Sequence, residues 1–408
     1  MWQKIKNVYH AVSAYCAALF YGSPGKKLRV VGITGTDGKT TTTHLIHHIL
    51  KTAGKRVSLI SSVYAEIAGK HFDTGFHVTS PNEWLLQKLL RQACDSGDEF
   101  VVLEVTSHAL DQYRVLGVDF EIGVLTNISH EHLDYHKSYK DYVKAKERLL
   151  KQAEVAIVNR DDQSYQYINP EKYASLITYG IKNKADVTAE SFSFRTNLPG
   201  EYNRYNCLAA IAACMQLGLS SEEIYRGLET FPGVKGRFEK IGTSKGFEVI
   251  IDFAHTPNAF EQVLSTVKPA VSGRLVHVFG SAAKRDVTKR PIMGEKSAAY
   301  ADTIVLTEED YRTENVNEII DQIAQGIRKA GGIEMQTTDY EKAHQVEEVV
   351  FFRIPDRQTA INFAIQKLAH PGDTVILTGK AHEKSMARGR VEYQWSEHEA
   401  VKNALERS

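Results

Sequence analysis

Two periodicities alternate along this chain. Short apolar runs at 28–33, 57–61, 100–105, 122–126 and 155–159 are separated by stretches with helical spacing of apolar residues. That alternation predicts an α/β domain, a mostly parallel sheet covered on both faces by helices. Its last helices are expected at 203–217, closed by Gly218, and from Ser220, which forms a Ser-x-x-Glu capping box with Glu223. Phe231-Pro232-Gly233 then punctuates the chain. After it the alternation restarts, with strands near 247–251, 275–279, 303–307 and 374–378 and helices near 257–267, 290–300, 315–329 and 357–369. The expected organisation is a short N-terminal helical segment over 1–27, a central domain over 28–234 and a second α/β domain over 235–408.

Composition narrows the class. With 408 residues the chain is too long for a single core. Its 50 basic and 50 acidic residues balance, so no net field favours nucleic acid or an anionic membrane. Cys16, Cys94, Cys207 and Cys214 lie far apart, against both a zinc ribbon and a disulfide framework, and the cytoplasm is the expected compartment. The run from Val8 to Tyr21 is interrupted by His10, Ser13 and Tyr15, which makes it a poor signal peptide or membrane span. An amphipathic docking helix is the better reading.

The chemistry starts after the first apolar run. Gly35-Thr36-Asp37-Gly38-Lys39-Thr40-Thr41 places two glycines and then Lys-Thr at the opening of a helix. Such a loop turns backbone N–H groups and a helix N-terminus toward phosphate oxygens. Lys39 is then expected at the outer phosphates and the Thr40 hydroxyl on Mg²⁺. Ile33 stands where the longer P-loop has glycine, so the match is to a Gly-x-x-Gly-Lys-Thr form. The central domain is therefore read as a P-loop domain and the second as Rossmann-like.

Strand ends supply the remaining candidates, because ligands in open α/β sheets bind beyond the carboxyl ends of the strands. Glu104 ends an apolar strand and is placed as the acidic partner of the P-loop metal. Thr126 to His136 concentrates imidazoles and carboxylates. A zinc metallohydrolase needs His-x-His-x-Asp-His, and Tyr135 occupies the last His position, so the run fits a Mg²⁺-type or phosphate-orienting site better. On pattern alone, Lys144 and Lys146 read as charges on an exposed helix face. Asp252-Phe253-Ala254-His255-Thr256-Pro257-Asn258 follows a strand, where Asp252 suits ribose hydroxyls and Thr256 or Asn258 suits a helix cap.

Taken in order, these motifs resemble the Mur ligases, most closely the MurE type that joins a diamino acid to a UDP-N-acetylmuramoyl-peptide. The resemblance is carried by Gly35 to Thr41, Glu104 to Arg114, His132-Leu133-Asp134-Tyr135-His136, Gly236-Arg237-Phe238-Glu239, Asp252 to Pro257, Lys289-Arg290-Pro291 and Gly379-Lys380-Ala381-His382-Glu383. It implies an ATP- and Mg²⁺-dependent ligase of peptidoglycan precursor synthesis. In such an enzyme a substrate carboxylate becomes an acyl phosphate, which the incoming amine displaces. By resemblance, Thr40 and Glu104 hold one Mg²⁺, Glu104 and His132 help hold a second, and Lys146 is a carbamylated metal ligand. Asn203 and Asn206 match the adenine side, Arg237 the phosphates, and Asp252 with His255 the closure over ATP. Thr79 and Ser80, with Thr106, Gln112 and Arg114, match the muramoyl-peptide site.

The amino-acid pocket maps onto Arg285, Asp310, Arg312, Gly379 and Glu383. Arg312 favours meso-diaminopimelate, whose extra carboxylate its fork can clamp. The family's Asp-Asn-Pro-Arg reads Glu309-Asp310-Tyr311-Arg312 here, which leaves another diamino acid open. Ser281-Ala282-Ala283-Lys284 replaces a glycine-rich turn, and Ala381 replaces a glycine. About 27 residues precede the first strand, too few for the family's N-terminal UDP-gripping domain. The rival readings are a Mur-like ligase for a pseudomurein-type peptide, folate or polyamino acid, and a nucleotide-binding regulatory subunit. A monomer acting on small molecules is expected, with no nucleic acid and no membrane span.

Overall fold

The structure is a computed structural model that describes residues 2–72, 81–129, 138–284 and 286–406. Clustering of contacts separates two compact units, Met1–Pro232 and Gly233–Ser408.

In the first unit, helix α1 (Trp2–Phe20) precedes an eight-stranded sheet. The strands are β1 (Arg29–Thr34), β2 (Val57–Ile60), β3 (Ala65–Ile67), β4 (Lys70–Phe72), β5 (Phe100–Glu104), β6 (Phe120–Leu125), β7 (Ala153–Asn159) and β8 (Leu176–Tyr179). Their spatial order is β4-β3-β2-β5-β1-β6-β7-β8, parallel from β2 through β8, with β3 and β4 added antiparallel at one edge. The helices are α2 (Lys39–Thr52), α3 (Glu83–Asp95), α4 (Ser107–Asp111), α5 (Tyr139–Gln152), α6 (Glu201–Gln216) and α7 (Ser221–Glu229). The central strands are apolar on both faces because helices cover both, as all-parallel sheets require. Val30, Val101, Leu103, Phe120 and Leu149 share one of the resulting cores with Leu86, Leu89 and Leu90 of α3. Ser220 and Glu223 form the reciprocal capping box at the start of α7. Register is what positions the chemistry: Ile33 lies opposite both Glu104 and Val124, so β1, β5 and β6 end at the same level.

The second unit holds β9 (Glu239–Ile241), β10 (Glu248–Asp252), β11 (Leu275–Phe279), β12 (Thr303–Leu306), β13 (Ile333–Glu334), β14 (Val350–Arg353) and β15 (Thr374–Thr378). Their order is β13-β14-β12-β11-β15-β10-β9, with only β9 antiparallel to its neighbour. Helices α8 (Pro257–Val267), α9 (Lys289–Ala298), α10 (Val316–Lys329), α11 (Arg357–Phe363) and α12 (Glu397–Glu406) complete it, together with a hairpin of β16 (Ser385–Arg388) and β17 (Val391–Gln394). Residues 364–368 continue α11 as a π-helical turn, which carries it close to the expected end at 369.

One buried group in this unit gives a pH-dependent stability. His277 on β11 is fully buried between the Ser297 hydroxyl at 2.8 Å and the Thr378 hydroxyl at 3.0 Å, and its ring stacks on Phe279. Burial, with the Arg357 cation as a second cause, pushes its pKa down to about 3. The unfolded imidazole titrates near 6.5, so below that pH the unfolded chain takes up a proton that the folded chain refuses. Stability held by a neutral His277 is thus full above pH about 6.5 and falls by about 1.4 kcal/mol per pH unit toward pH about 3. Urea unfolding between neutral and mildly acidic pH should show at least this slope, because the buried His47 and His382 are depressed too, and His277→Gln should lower it by about 1.4 kcal/mol per pH unit. An unchanged slope in the variant would sink the assignment.

Candidate active site

The loop after β1 is built for close approach. Gly35 has φ 154°, and a Cβ there would lie 1.8 Å from Thr126 Oγ1; Gly38 has φ 80°, and a Cβ there would lie 2.2 Å from Asn206 Oδ1. Only glycine fits both places. The loop is clamped from the segment after β6. Thr36 N–H donates to the Asn127 carbonyl at 2.8 Å, Asp37 N–H to Asn127 Oδ1 at 2.9 Å, and the Thr126 hydroxyl to the Asp37 carbonyl at 2.7 Å. Lys39 Nζ donates to the Thr36 carbonyl at 2.8 Å, which holds an ammonium at the loop where α2 begins.

Beside it an oxygen cluster forms from the first turn of α2 and two strand ends. The Thr40 hydroxyl donates to Glu104 Oε1 at 3.1 Å and shares a hydrogen bond with the Ser62 hydroxyl at 3.2 Å. Ser62 donates to Glu104 Oε2 through its N–H at 3.0 Å and its hydroxyl at 3.1 Å. Glu104 is only 1 % exposed. A buried carboxylate joined to two hydroxyls is a hard, all-oxygen donor set, which fits a Mg²⁺-class cation and not a soft-metal site. Ser62 was not singled out in the sequence, although it follows the end of β2 and the strand-end rule points there.

Lys146 does not lie on an exposed face. It is 1 % exposed, its Nζ donates to the Gly35 carbonyl at 2.5 Å, and it sits over the Tyr142 ring, whose hydroxyl bonds with Thr36. Lys144 is the exposed one, paired with Asp141. Asn203 and Asn206, on α6, are both buried; Asn206 donates to Asn203 Oδ1 at 3.0 Å and accepts from the Thr42 hydroxyl at 3.4 Å. Thr41 is buried in the first turn of α2. Thr106 caps α4 by accepting from Ala109 N–H, and Gln112 and Arg114 lie in the turn that ends this helix, donating backbone N–H groups to His108 and Ala109 carbonyls. His132, Thr79, Ser80 and Arg285 lie outside the described residues.

In the second unit, Arg237, His255 and His382 gather on Phe253. The Arg237 guanidinium lies 4.7 Å over its ring, with the His255 and His382 rings at 4.9 and 4.7 Å. Burial, aided by Arg237, pushes the His382 imidazole down to about 3, so it stays neutral. Asp252 is already engaged by backbone, accepting from Phe238 and Ala254 N–H groups at 2.7 Å each, and burial raises its pKa. Thr256, not Asn258, caps α8 by accepting from Ala259 N–H.

Of the candidate amino-acid residues, Asp310 and Glu383 meet at Lys380, which is fully buried and pairs with Asp310 at 2.9 Å and with Glu383. The carboxylate at position 310 thus faces an ammonium that the chain itself supplies. Asp310 also accepts from Ala387 N–H at 3.0 Å, and Arg312 Nη1 donates to the Ala283 carbonyl at 2.8 Å. Glu309 is buried next to them, and burial raises its pKa. The lost glycines leave the backbone path in the left-handed region: Lys284 has φ 55° and Ala381 φ 39°. Each such residue costs about 1–2 kcal/mol that glycine would spare.

Residues 33–214 match the Mur ligase middle domain, and residues 236–381 match the family described as Mur ligase, glutamate ligase domain. The chain is 37% identical over 397 residues to a UDP-N-acetylmuramoyl-L-alanyl-D-glutamate--2,6-diaminopimelate ligase of Geobacillus thermodenitrificans, covering 91% of this chain and 77% of that one. It is 39% identical over 424 residues to a protein of the same name from a Nostoc species, covering 98% and 81%. A solved structure of a ligase of that name superposes with a TM-score of 0.59 at 30% identity, over 93% of this chain and 78% of the other. Two matched domains spanning most of the sequence and relatives at this identity lead to one conclusion: the chain belongs to the Mur ligase family.

Proposed function

We propose that the protein is an ATP-dependent amide ligase that adds 2,6-diaminopimelate to a UDP-N-acetylmuramoyl-L-alanyl-D-glutamate acceptor in peptidoglycan precursor synthesis. The observation that carries this reading is the meeting of Thr40, Ser62 and Glu104 oxygens beside the phosphate loop, in a chain so similar to relatives that bear this activity in their names. The acceptor carboxylate attacks the γ-phosphate of ATP, releasing ADP and leaving an acyl phosphate. The amine of the amino acid then attacks the carbonyl, loses a proton, and expels phosphate to leave an amide. Such transfer depends on positioning and charge neutralisation more than on covalent help from the protein.

The loop from Gly35 to Thr41 cradles the phosphates and Lys39 neutralises their outer charge. Thr40 and Glu104 would hold one Mg²⁺, and Glu104 with His132 would help hold a second, which supply the remaining neutralisation when bound. Lys146 is assigned as a carbamylated lysine, in which CO₂ added to the amine replaces its cation with a carboxylate. Thr79, Ser80, Thr106, Gln112 and Arg114 are assigned to the acceptor, and Asn203, Asn206, Arg237, Asp252 and His255 to ATP. Arg285, Asp310, Arg312, Gly379 and Glu383 are assigned to the amino acid. Asp310 faces Lys380, and Arg312, whose fork suits a carboxylate, is assigned to the one that distinguishes diaminopimelate from lysine. The enzyme is read as a cytoplasmic monomer.

Mass spectrometry of the product tests acceptor and amino acid together. Incubation with ATP, Mg²⁺, UDP-muramoyl-dipeptide and a mixture of diaminopimelate, lysine and ornithine should yield the diaminopimelate adduct with one ADP per amide. A lysine or ornithine adduct would overturn the amino-acid assignment, and absence of ADP release would overturn the reaction.

A further inference from the structure

Helix α1 carries its large apolar side chains on the outside. Ala14 and Ala17 are fully buried and Ala18 nearly so, on the face that packs against α3, whereas Val8, Tyr9, Val12, Tyr15, Leu19 and Phe20 are 57–74 % exposed. At 3.6 residues per turn these six fall within an arc of about 140° opposite the alanines. A helix at the surface of a globular protein does the reverse, turning its bulky apolar stripe inward. Trp84 of α3, also exposed, extends the stripe, with its ring 5.8 Å from Phe20 and 6.4 Å from Tyr21, and its Nε1 donates to Ser13 at 3.0 Å.

Charge says what fits this face. The chain is neutral as a whole, but its first acidic residue is Asp37, and Lys4, Lys6, Lys26, Lys27 and Arg29 all precede it. Arg29 is neutralised by Glu121 and Glu99, and Lys26 and Lys27 are exposed. Two acids that reach α1 from elsewhere, Glu83 and Asp111, are engaged by His10 and Asn7 off the stripe. No helix among the described residues is long and apolar enough to cross a membrane, and α1 has one face committed to α3. A surface helix whose apolar arc faces outward can rest on a bilayer interface. Two copies joined through the same patch would bring like-charged lysines together, whereas an anionic headgroup layer complements them.

We propose that the exposed stripe of α1, extended by Trp84, docks the protein on the surface of an anionic lipid bilayer. The aromatic rings sit at headgroup level and the lysines meet the lipid charges, independently of the ligase reaction.

Flotation of the full chain with phosphatidylcholine vesicles, with and without phosphatidylglycerol, tests this. Recovery is expected with the anionic vesicles only and should fall as salt is raised. The double variant Val12→Asp, Leu19→Asp should float at least tenfold less, with unchanged melting temperature and unchanged turnover in solution, since both positions are exposed and outside the ligase site. An environment-sensitive dye on Cys16, exposed on the same arc, should shift to the blue on adding anionic vesicles. No flotation, or equal flotation with neutral vesicles, overturns the proposal. So does a dimer that the double variant dissociates without any lipid binding, which would assign the face to a second copy.

Discussion

Replacing Glu104 by alanine is expected to lower ATP turnover by roughly a thousandfold while leaving the protein folded. The carboxylate is the one anionic group in the oxygen cluster, and it also orients its neighbours: Thr40 donates to one oxygen, and Ser62 donates to the other through both N–H and hydroxyl. Without it a divalent cation loses its charged ligand, and two hydroxyls lose the acceptor that aims them. The folded state tolerates the change, because a buried carboxylate is itself held against a desolvation penalty that alanine removes. Glu104→Gln separates charge from shape, since the amide preserves volume and one acceptor. ADP release in the presence of acceptor and amino acid should be about as slow in Gln as in Ala, with melting temperatures near that of the parent. A Gln variant with more than half the parent turnover would show that charge at this position is not what the reaction uses.

What the sequence made legible follows from how local each signal is. The glycines and Lys-Thr of the phosphate loop announce themselves because their conformation is set within a few residues, and Glu104 because an apolar run stops at it. The parallel strands β1, β5, β6 and β7 and helices α8 and α10 were readable from periodicity alone. The strand β14 is not legible although Val350-Phe351-Phe352 is apolar, because the run is short. The edge strands β4, β8, β9 and β13, and β3 beside β4, are not legible for a related reason: they are two to four residues long and only partly apolar. The terminal helix α12 also escaped, its few apolar positions being spread among charges.

Side-chain partnerships were the least legible part. Ser62 and Glu104 stand 42 residues apart and Asp310 and Lys380 stand 70 apart, so neither pairing has a spacing to read. Lys380 lay inside a recognised motif, yet its burial between two carboxylates depends on where β12 and β15 end. Lys146 shows the opposite failure, where an amphipathic pattern suggested exposure and the loop above it enforced burial. The family resemblance implies a site role for Lys146 instead, because it carries three-dimensional placement that periodicity lacks.

Arg357→Met is expected to destabilise the second unit by about 3–5 kcal/mol, an effect that arises from what it strands and not from the pair it removes. Arg357 is fully buried at the start of α11 and forks onto Glu397, also fully buried, with Nε 3.0 Å from Glu397 Oε2. Its other donors reach the Glu308 carbonyl at 3.1 Å and the Thr378 carbonyl at 2.8 Å. Methionine fills the space but leaves Glu397 in the core with Trp395 Nε1 at 2.9 Å as a remaining donor, and takes a donor away from two carbonyls. For a unit of this size the drop corresponds to a melting shift on the order of 10 °C. The double variant Arg357→Met, Glu397→Met should recover much of the loss, because a buried pair replaced as a whole by apolar groups forfeits little. The position also matters for chemistry: Glu308 immediately precedes Glu309-Asp310 and Thr378 immediately precedes Gly379-Lys380, so Arg357 ties together the two strand ends that carry the candidate amino-acid pocket. The single variant should therefore raise KM for the amino acid more than KM for ATP at temperatures where it remains folded. Equal rises in both, or a double variant no more stable than the single one, would mean that Arg357 acts only as part of a general core.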